Sequence, residues 1–266
     1  MSVVVLIPAY NAGKTITKVI ERIPKGLADE IIVVNDGSRD NTQEVLERIP
    51  SIRIISHPQN RGYGAAQISL YEAALESGAD FIAIMHADEG HFPEELPVML
   101  APLRDGSADL VAGSRTIGLL REAKPFLGSK TLGAMFRGAM PPHKFAANLA
   151  LTWLANLAFH TNYHSFHCGF RSYTRDALMR IPFAGLTQGY LFDTASLMES
   201  HVLGLRIAEV PISTHYDEAA GSSVPSIRYG FQILLYIFRR RLRMAKDIGR
   251  LSVAEGAAHR DGPRGS

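Results

Sequence analysis

Residues 81–93 read FIAIMHADEGHFP, and this stretch decides how the rest of the chain reads. An apolar run, Phe81 to Met85, stops abruptly at His86, Asp88, Glu89 and His91 packed around Gly90. A continuous apolar run of that length predicts a strand buried on both faces of a parallel sheet. Polar groups at the carboxyl end of such a strand stand where open α/β sheets bind ligands. Carboxylates and imidazoles there are the groups that hold a divalent cation and, through it, a phosphate.

Outward from this stretch, strand and helix signals alternate. Strands are predicted at Val3–Ile7, Ile31–Val34, Ile52–Ile55, Phe81–Met85 and Asp109–Ala112, with helices at Lys14–Ile23, to Ile49, Gly64–Glu76 and Pro93–Leu103. Asp40 or Asn41 is placed to cap the second helix by accepting its free N–H groups. Repeated β-α-β units imply right-handed crossovers and a mostly parallel central sheet flanked by helices. Thr116–Pro142 reads as a long loop, and Lys144–His160 as a helix. Phe166–Tyr173 reads as a strand, Tyr190–Val202 as a helix and Arg206–Ile212 as a late strand. Asp217–Pro225 reads as a loop of small residues. The expected organisation is an α/β domain over 1–225, a basic amphipathic helix over 226–250 and a flexible tail over 251–266.

Composition narrows the classes. Of 266 residues, 46% are hydrophobic and 20% charged, an ordinary globular balance. With 28 Lys and Arg against 26 Asp and Glu, the net charge of +2 gives no footprint for nucleic acid. The single cysteine, Cys168, excludes an internal disulfide and fits a reducing compartment. The opening MSVVVLIPAYN lacks a basic leader and reads as a core strand. No apolar run approaches the ~20 residues that span a bilayer. The expected location is cytoplasmic.

Five segments follow in order: IPAYNAGKTI, VVNDGSRDNT, NRGYGAA (Asn60–Ala66), MHADEGH and VAGSR. This series resembles the family 2 glycosyltransferases of the GT-A fold, over roughly residues 1 to 225, and within them the polyprenyl-phosphate sugar transferases. The resemblance implies a nucleotide-diphosphate sugar donor, inversion at the anomeric carbon and a divalent cation, Mg2+ or Mn2+. It places Pro8, Ala9, Tyr10 and Asn11 at the base and ribose. It makes Asp36 the reader of the base, where the residues alone equally allow an Asx-turn. Arg61 is expected at phosphate or ribose, or solvated, and Gly64 belongs to a segment whose glycines permit close backbone approach. Arg115 is expected to face the donor diphosphate, because a guanidinium fork matches phosphate geometry.

Most members of that family carry Asp-x-Asp followed by Gly-Gln-His. Here His86-Ala87-Asp88 is followed by Glu89-Gly90-His91. Asp88 keeps the position that ligates the cation, Ala87 lies between at the nucleotide sugar, and Glu89 is available to restore an acidic ligand. His86 is either a ligand, which suits Mn2+ better than Mg2+, or a ribose or second-layer contact.

Acceptor residues are expected further along. The polyprenyl-phosphate branch carries a basic residue followed four positions later by a small polar one on a helix; Lys144 and Asn148 match that spacing, on one helical face, and the resemblance makes them candidates for an acceptor phosphate. Arg171, in FHCGFRSYTRDAL, serves acceptor phosphate or structure; His164 and His167 flank it. Asp193, in LFDTASL, stands where the resemblance puts a helix acid facing the acceptor and is the candidate base for a hydroxyl acceptor, whereas a phosphate acceptor needs none. A polyprenyl phosphate is the expected acceptor. A glycan hydroxyl, or a non-catalytic nucleotide-sugar binding role, is the alternative. Phe231, Leu234, Leu235, Ile237 and Phe238 beside Arg239, Arg240, Arg241, Arg243 and Lys246 predict a helix for a membrane surface. A helix docked on the domain, or one pairing two copies in a homo-oligomer, is the rival reading.

Overall fold

The structure, a computed structural model, describes residues 1–115, 117, 142–213 and 230–242. The expected loops over 116–142 (apart from Ile117 and Pro142) and 217–225, and the tail from 251, lie outside the described residues.

Among the described residues seven strands form one sheet in the order β3-β2-β1-β4-β6-β5-β7. They are β1 (Val3–Ala9), β2 (Glu30–Asn35), β3 (Arg53–Ser56), β4 (Phe81–Ile84), β5 (Leu110–Ser114), β6 (Arg171–Thr174) and β7 (Ile207–Pro211). All neighbours pair in parallel except β6, which is antiparallel to both β4 and β5. The carboxyl ends of β1, β2, β4 and β5 therefore share one rim. The helices are α1 (Ile16–Glu21), α2 (Thr42–Glu47), α3 (Tyr63–Ser77), α4 (Leu96–Arg104), α5 (Pro142–Phe159), α6 (Arg175–Arg180) and α7 (Phe192–Val202). A further helix, α8, covers 230–242.

Alternation along the strands builds the two layers. Val4, Leu6, Ile32, Val34, Ile82 and Ile84 pack against α3, α6 and α7, and against Ala155, Phe159, Ile233 and Ile237 of α5 and α8. Val3, Val5, Ile7, Val33, Ala83 and Met85 face α1, α2 and α4 through Ile16, Val19, Leu46, Met99 and Leu100. Thus α8 docks on the α/β core. Its Arg240 forks onto Glu199 of α7 at 2.6 and 2.7 Å.

The sequence boundaries shift in three informative places. β1 runs through Pro8 to Ala9, because its pairing with β4 ends at Leu6 and the missing N–H of Pro8 breaks no bond there. Asn41 occupies the N-cap of α2 without a side-chain bond; Asp40 instead accepts from the Thr42 N–H at 3.0 Å. The strand expected over Phe166–Tyr173 forms only from Arg171. Before it, the carbonyls of Phe166 and Cys168 turn to the Arg171 guanidinium, at 3.2 and 2.9 Å, in place of a neighbouring strand.

Gly64 sits in the first turn of α3 against the segment leading to α7. Its N–H donates to the Gln188 carbonyl at 2.7 Å, and a Cβ there would meet backbone atoms of Thr187 and Gln188 at 2.7–2.9 Å. Gly64→Ala must push that backbone away and is expected to cost about 1–3 kcal/mol. Thermal melting checks this: a Tm unchanged from wild type would contradict the close approach.

Candidate functional site at the carboxyl ends of the strands

The rim is assembled by short-range bonds between the loops that leave β1, β2 and β4. The Asp36 N–H donates to the Ala9 carbonyl at 2.8 Å, and Thr15 Oγ1 donates to the Ala87 carbonyl at 2.6 Å. Asn11 adopts φ 52° and bridges to the next loop, accepting from the Arg39 N–H at 2.8 Å and donating its own N–H to Ser38 Oγ at 2.9 Å. Tyr10 is left 45% exposed beside them.

Asp36 is 3% exposed. One carboxylate oxygen accepts from the Arg61 N–H at 2.9 Å and meets His57 Nδ1 at 2.6 Å; the other accepts from the Gly62 N–H at 2.9 Å. It thus pins the 57–62 loop to the end of β2. His57, which sequence reasoning passed over, is held on its far side by Ser69 Oγ at 3.0 Å. Arg61 keeps an exposed side chain at the same edge.

Beyond β4, His86, Asp88 and His91 each offer one ligand atom, and the three atoms lie within 4.8 Å of one another. Asp88 is exposed, His86 half-buried and His91 buried. Asp88 also accepts the Gly90 N–H at 3.0 Å, which curls the loop. Among the described residues the buried His91 Nδ1 has no hydrogen-bond partner, while its Nε2 lies 3.7 Å from Cys168 Sγ. An orphaned buried imidazole nitrogen beside a carboxylate and a second imidazole is a fitting donor set for a divalent cation. Burial, with His86 and Arg115 adding to it, pushes the His91 pKa well down, so the ring is neutral, as a ligand must be.

Glu89, expected among the ligands, is not in this cluster. With φ 57° its side chain swings to Lys18 on α1, at 3.6 Å. His91 takes the third place instead. Both residues stood in the same sequence stretch; what separates them is the turn at Gly90, which the composition of the stretch does not reveal.

Arg115 follows β5 on the same rim and is half-buried. Its charge reaches His91 and His167. Burial, then Arg115 and Arg171, lower the His167 pKa to about 3, leaving a neutral ring whose Nδ1 meets Thr194 Oγ1 at 2.8 Å. His164 is tied to Glu209 at 2.9 Å. Lys144 and Asn148 both lie on α5; their side chains lie outside the described residues.

Two acceptor-side expectations change. Arg171 is 1% exposed, and its guanidinium is consumed by Phe166, Cys168 and Ser196, so it shapes the chain before β6 and reaches no acceptor directly. Asp193 is 6% exposed. Its Oδ1 accepts from Gln67 Nε2 at 3.0 Å and its Oδ2 from the Tyr63 hydroxyl at 2.9 Å. The same hydroxyl lies 2.7 Å from His86 Nε2. Burial, then Asp193, raise the Tyr63 pKa well above its usual value, so the phenol stays protonated. Among the described residues Asp193 therefore stands behind the ligand cluster, covered and bonded to Gln67 and Tyr63. Sequence reasoning missed Tyr63, Gln67 and Tyr71, although their i, i+4, i+8 spacing in an Ala-rich helix marks one polar face.

Comparison with known proteins adds the following. The sequence profile described as Glycosyl transferase family 2 matches residues 4–181. A UDP-N-acetylglucosamine--dolichyl-phosphate N-acetylglucosaminyltransferase of Methanococcus voltae is 27% identical over 258 residues, 91% of this chain and 97% of that protein. An undecaprenyl-phosphate mannosyltransferase of Micrococcus luteus is 28% identical over 219 residues, 80% of this chain and 83% of that one. Among solved structures, glucosyl-3-phosphoglycerate synthase of Mycobacterium tuberculosis, in complex with Mn2+, UDP and phosphoglyceric acid, superposes with a TM-score of 0.61. It is 21% identical, with 89% of this chain and 78% of that chain covered. At that identity the likeness speaks to the fold.

The cluster separates two neighbouring acids by function. Asp88→Ala is expected to weaken Mn2+ binding, followed by electron paramagnetic resonance, by at least about tenfold, while Glu89→Gln leaves it within about twofold. Equal losses in both variants would return Glu89 to the ligand set.

Proposed function

The chain belongs to glycosyl transferase family 2, and on that premise we propose that it moves a sugar from a nucleotide-diphosphate sugar to a polyprenyl phosphate at the cytosolic face of a membrane. The observation that carries this reading is the convergence of His86, Asp88 and His91 at the end of β4, on the rim that also bears Tyr10, Asp36 and Arg115. A divalent cation held by those three residues would offset the charge of the donor diphosphate; Mn2+ suits two imidazoles and a carboxylate better than Mg2+. Arg115 supplies a fixed positive charge for the leaving nucleotide. Tyr10 offers an exposed ring for the base, and Asp36 with its loop shapes the edge that reads it.

The burial of Asp193 bears on the acceptor. A hydroxyl must lose a proton as it attacks and calls for a base within hydrogen-bond reach. Asp193, the acid expected to do so, is held by Gln67 and Tyr63 and screened from solvent. A phosphate attacks already ionised and needs no such group. That favours the phosphate over a glycan hydroxyl, in keeping with the acceptors named for the two relatives. Lys144 and Asn148 on α5 remain the proposed contacts for it.

A lipid acceptor calls for contact with its membrane. No helix among the described residues is long and apolar enough to cross one. Two adjacent helices instead present apolar side chains outward: Leu149, Trp153 and Leu157 on α5, and Phe231, Leu234, Phe238 and Leu242 on α8. The helices are joined where the Arg241 guanidinium meets His160 Nε2 at 3.1 Å. Arg239 and Arg241 are exposed beside this face, whereas Arg240 is taken by Glu199; Arg243 and Lys246 lie outside the described residues. Apolar groups flanked by arginines suit an interface with anionic headgroups.

Two measurements test the proposal. Radiolabelled sugar transfer from UDP- and GDP-sugars to undecaprenyl phosphate is expected with the wild-type chain and Mn2+, and Asp88→Ala should lower it about a hundredfold or more. Transfer only to glycan hydroxyls would overturn the acceptor assignment. In co-sedimentation with phosphatidylglycerol vesicles, Trp153→Ser and Phe238→Ser should each weaken binding about tenfold. Binding unaffected by both would remove α5 and α8 from the membrane contact.

A further inference from the structure

The hydrogen bonds behind the metal cluster have a direction, and the direction is fixed by counting protons. Tyr71 donates its hydroxyl to Gln67 Oε1 at 2.7 Å, which orients the amide so that Nε2 points to Asp193 Oδ1 at 3.0 Å. Asp193 accepts there and again at Oδ2, where the Tyr63 hydroxyl donates at 2.9 Å. A phenol has one proton, and this one is committed to Asp193. At 2.7 Å from His86 Nε2, the Tyr63 oxygen can therefore only accept, and Nε2 must carry the hydrogen.

We propose that Tyr63 and Asp193 act as a positioning pair for His86, holding its ring in the Nε2–H tautomer and leaving the Nδ1 lone pair for the cation. This inference rests on the reading of His86 as a metal ligand given above. Every bond in the chain converges on one carboxylate, which makes the imidazole a stronger donor toward a metal through the intervening phenol. The ring also has little freedom to turn over. Tyr63 meets it edge-on with ring centroids 5.5 Å apart, and His91 also packs edge-on, at 4.9 Å. A Cβ at Gly169 would overlap both His86 Nε2 and the Tyr63 hydroxyl, so a glycine is required where the chain passes the bond. On the outer side Tyr190 stacks on Tyr63, with centroids 5.8 Å apart and planes 25° from parallel. Asp193 is thereby a positioning residue for the cluster, and Tyr63 the link between α7 and the end of β4.

The test uses the full chain, free of metal and then titrated with Mn2+ alone. Nitrogen-15 NMR of the histidine rings, with His86 assigned by its loss in His86→Gln, should show the Nε2–H tautomer in wild type and a mixture in Tyr63→Phe. Tyr63→Phe should also weaken Mn2+ binding by about tenfold or more. Asp193→Asn is the second variant, expected to shift tautomer and affinity in the same direction, and it serves if Tyr63→Phe does not fold. If His86→Ala binds Mn2+ as wild type does, the metal reading of the site fails, and this inference with it. If His86→Ala loses affinity but Tyr63→Phe or Asp193→Asn leaves both tautomer and affinity unchanged, the positioning pair is overturned and the site stands. A fall in Tm with no change in tautomer likewise assigns the pair a structural role only.

Discussion

Everything at the rim depends on β6 running antiparallel between β4 and β5. Because Ile84 pairs with Arg171, the chain enters β6 beside the carboxyl end of β4, and residues 166–170 are laid across the base of the ligand cluster. Cys168 then backs His91, and Gly169 lies against His86 and Tyr63. A parallel strand in the same slot would enter at the opposite edge and leave His86 and His91 without those neighbours. The irregular approach to β6 needs its carbonyls satisfied, and the buried Arg171 guanidinium does this. Burial opposes its charge, but Tyr173, Asp193 and Tyr71 together outweigh that and hold it protonated.

The rim therefore consists of two layers. The outer layer holds Asp88, His86 and Arg115, with His91 buried just beneath them. Behind it, Tyr63, Gln67 and Tyr71 of α3 and Asp193 of α7 form a polar stack in which Tyr63 is half-buried and the other three are buried. Such a network is tolerable only when its members are paired, because an unpaired polar group in a low-dielectric interior is costly. Convergence of the donors on Asp193 meets that requirement and gives the outer layer a rigid backing. An acid at the site can thus matter to the chemistry while never touching the acceptor.

The fold was largely legible in the sequence because strand burial and helix periodicity are local signals. FIAIM, VVVLI and IIVV each predict a core strand, and β1 pairs in parallel with both β2 and β4. The direction of β6 was not legible, since an antiparallel insertion depends on long-range pairing. At the site, motif order singles out Asp88, His86 and Arg115, which follow β4 and β5 on one rim. The exchange of Glu89 for His91 depends on a positive φ and an ion pair to Lys18, neither of which is written in residue type. The burial of Arg171 and Asp193 was hidden for a related reason: charged residues read as exposed unless their partners, here scattered over 130 positions from Tyr63 to Asp193, are known.

The central claim is that one carboxylate and two imidazoles at the end of β4 hold a cation for a nucleoside diphosphate. Anomalous diffraction from crystals of the full chain grown with Mn2+ and a nucleoside diphosphate tests it most directly. A peak within bonding distance of His86, Asp88 and His91, bridging to diphosphate oxygens, is the predicted result. A nucleotide bound at this rim with the Mn2+ peak away from those three side chains, or with no peak at all, would contradict it.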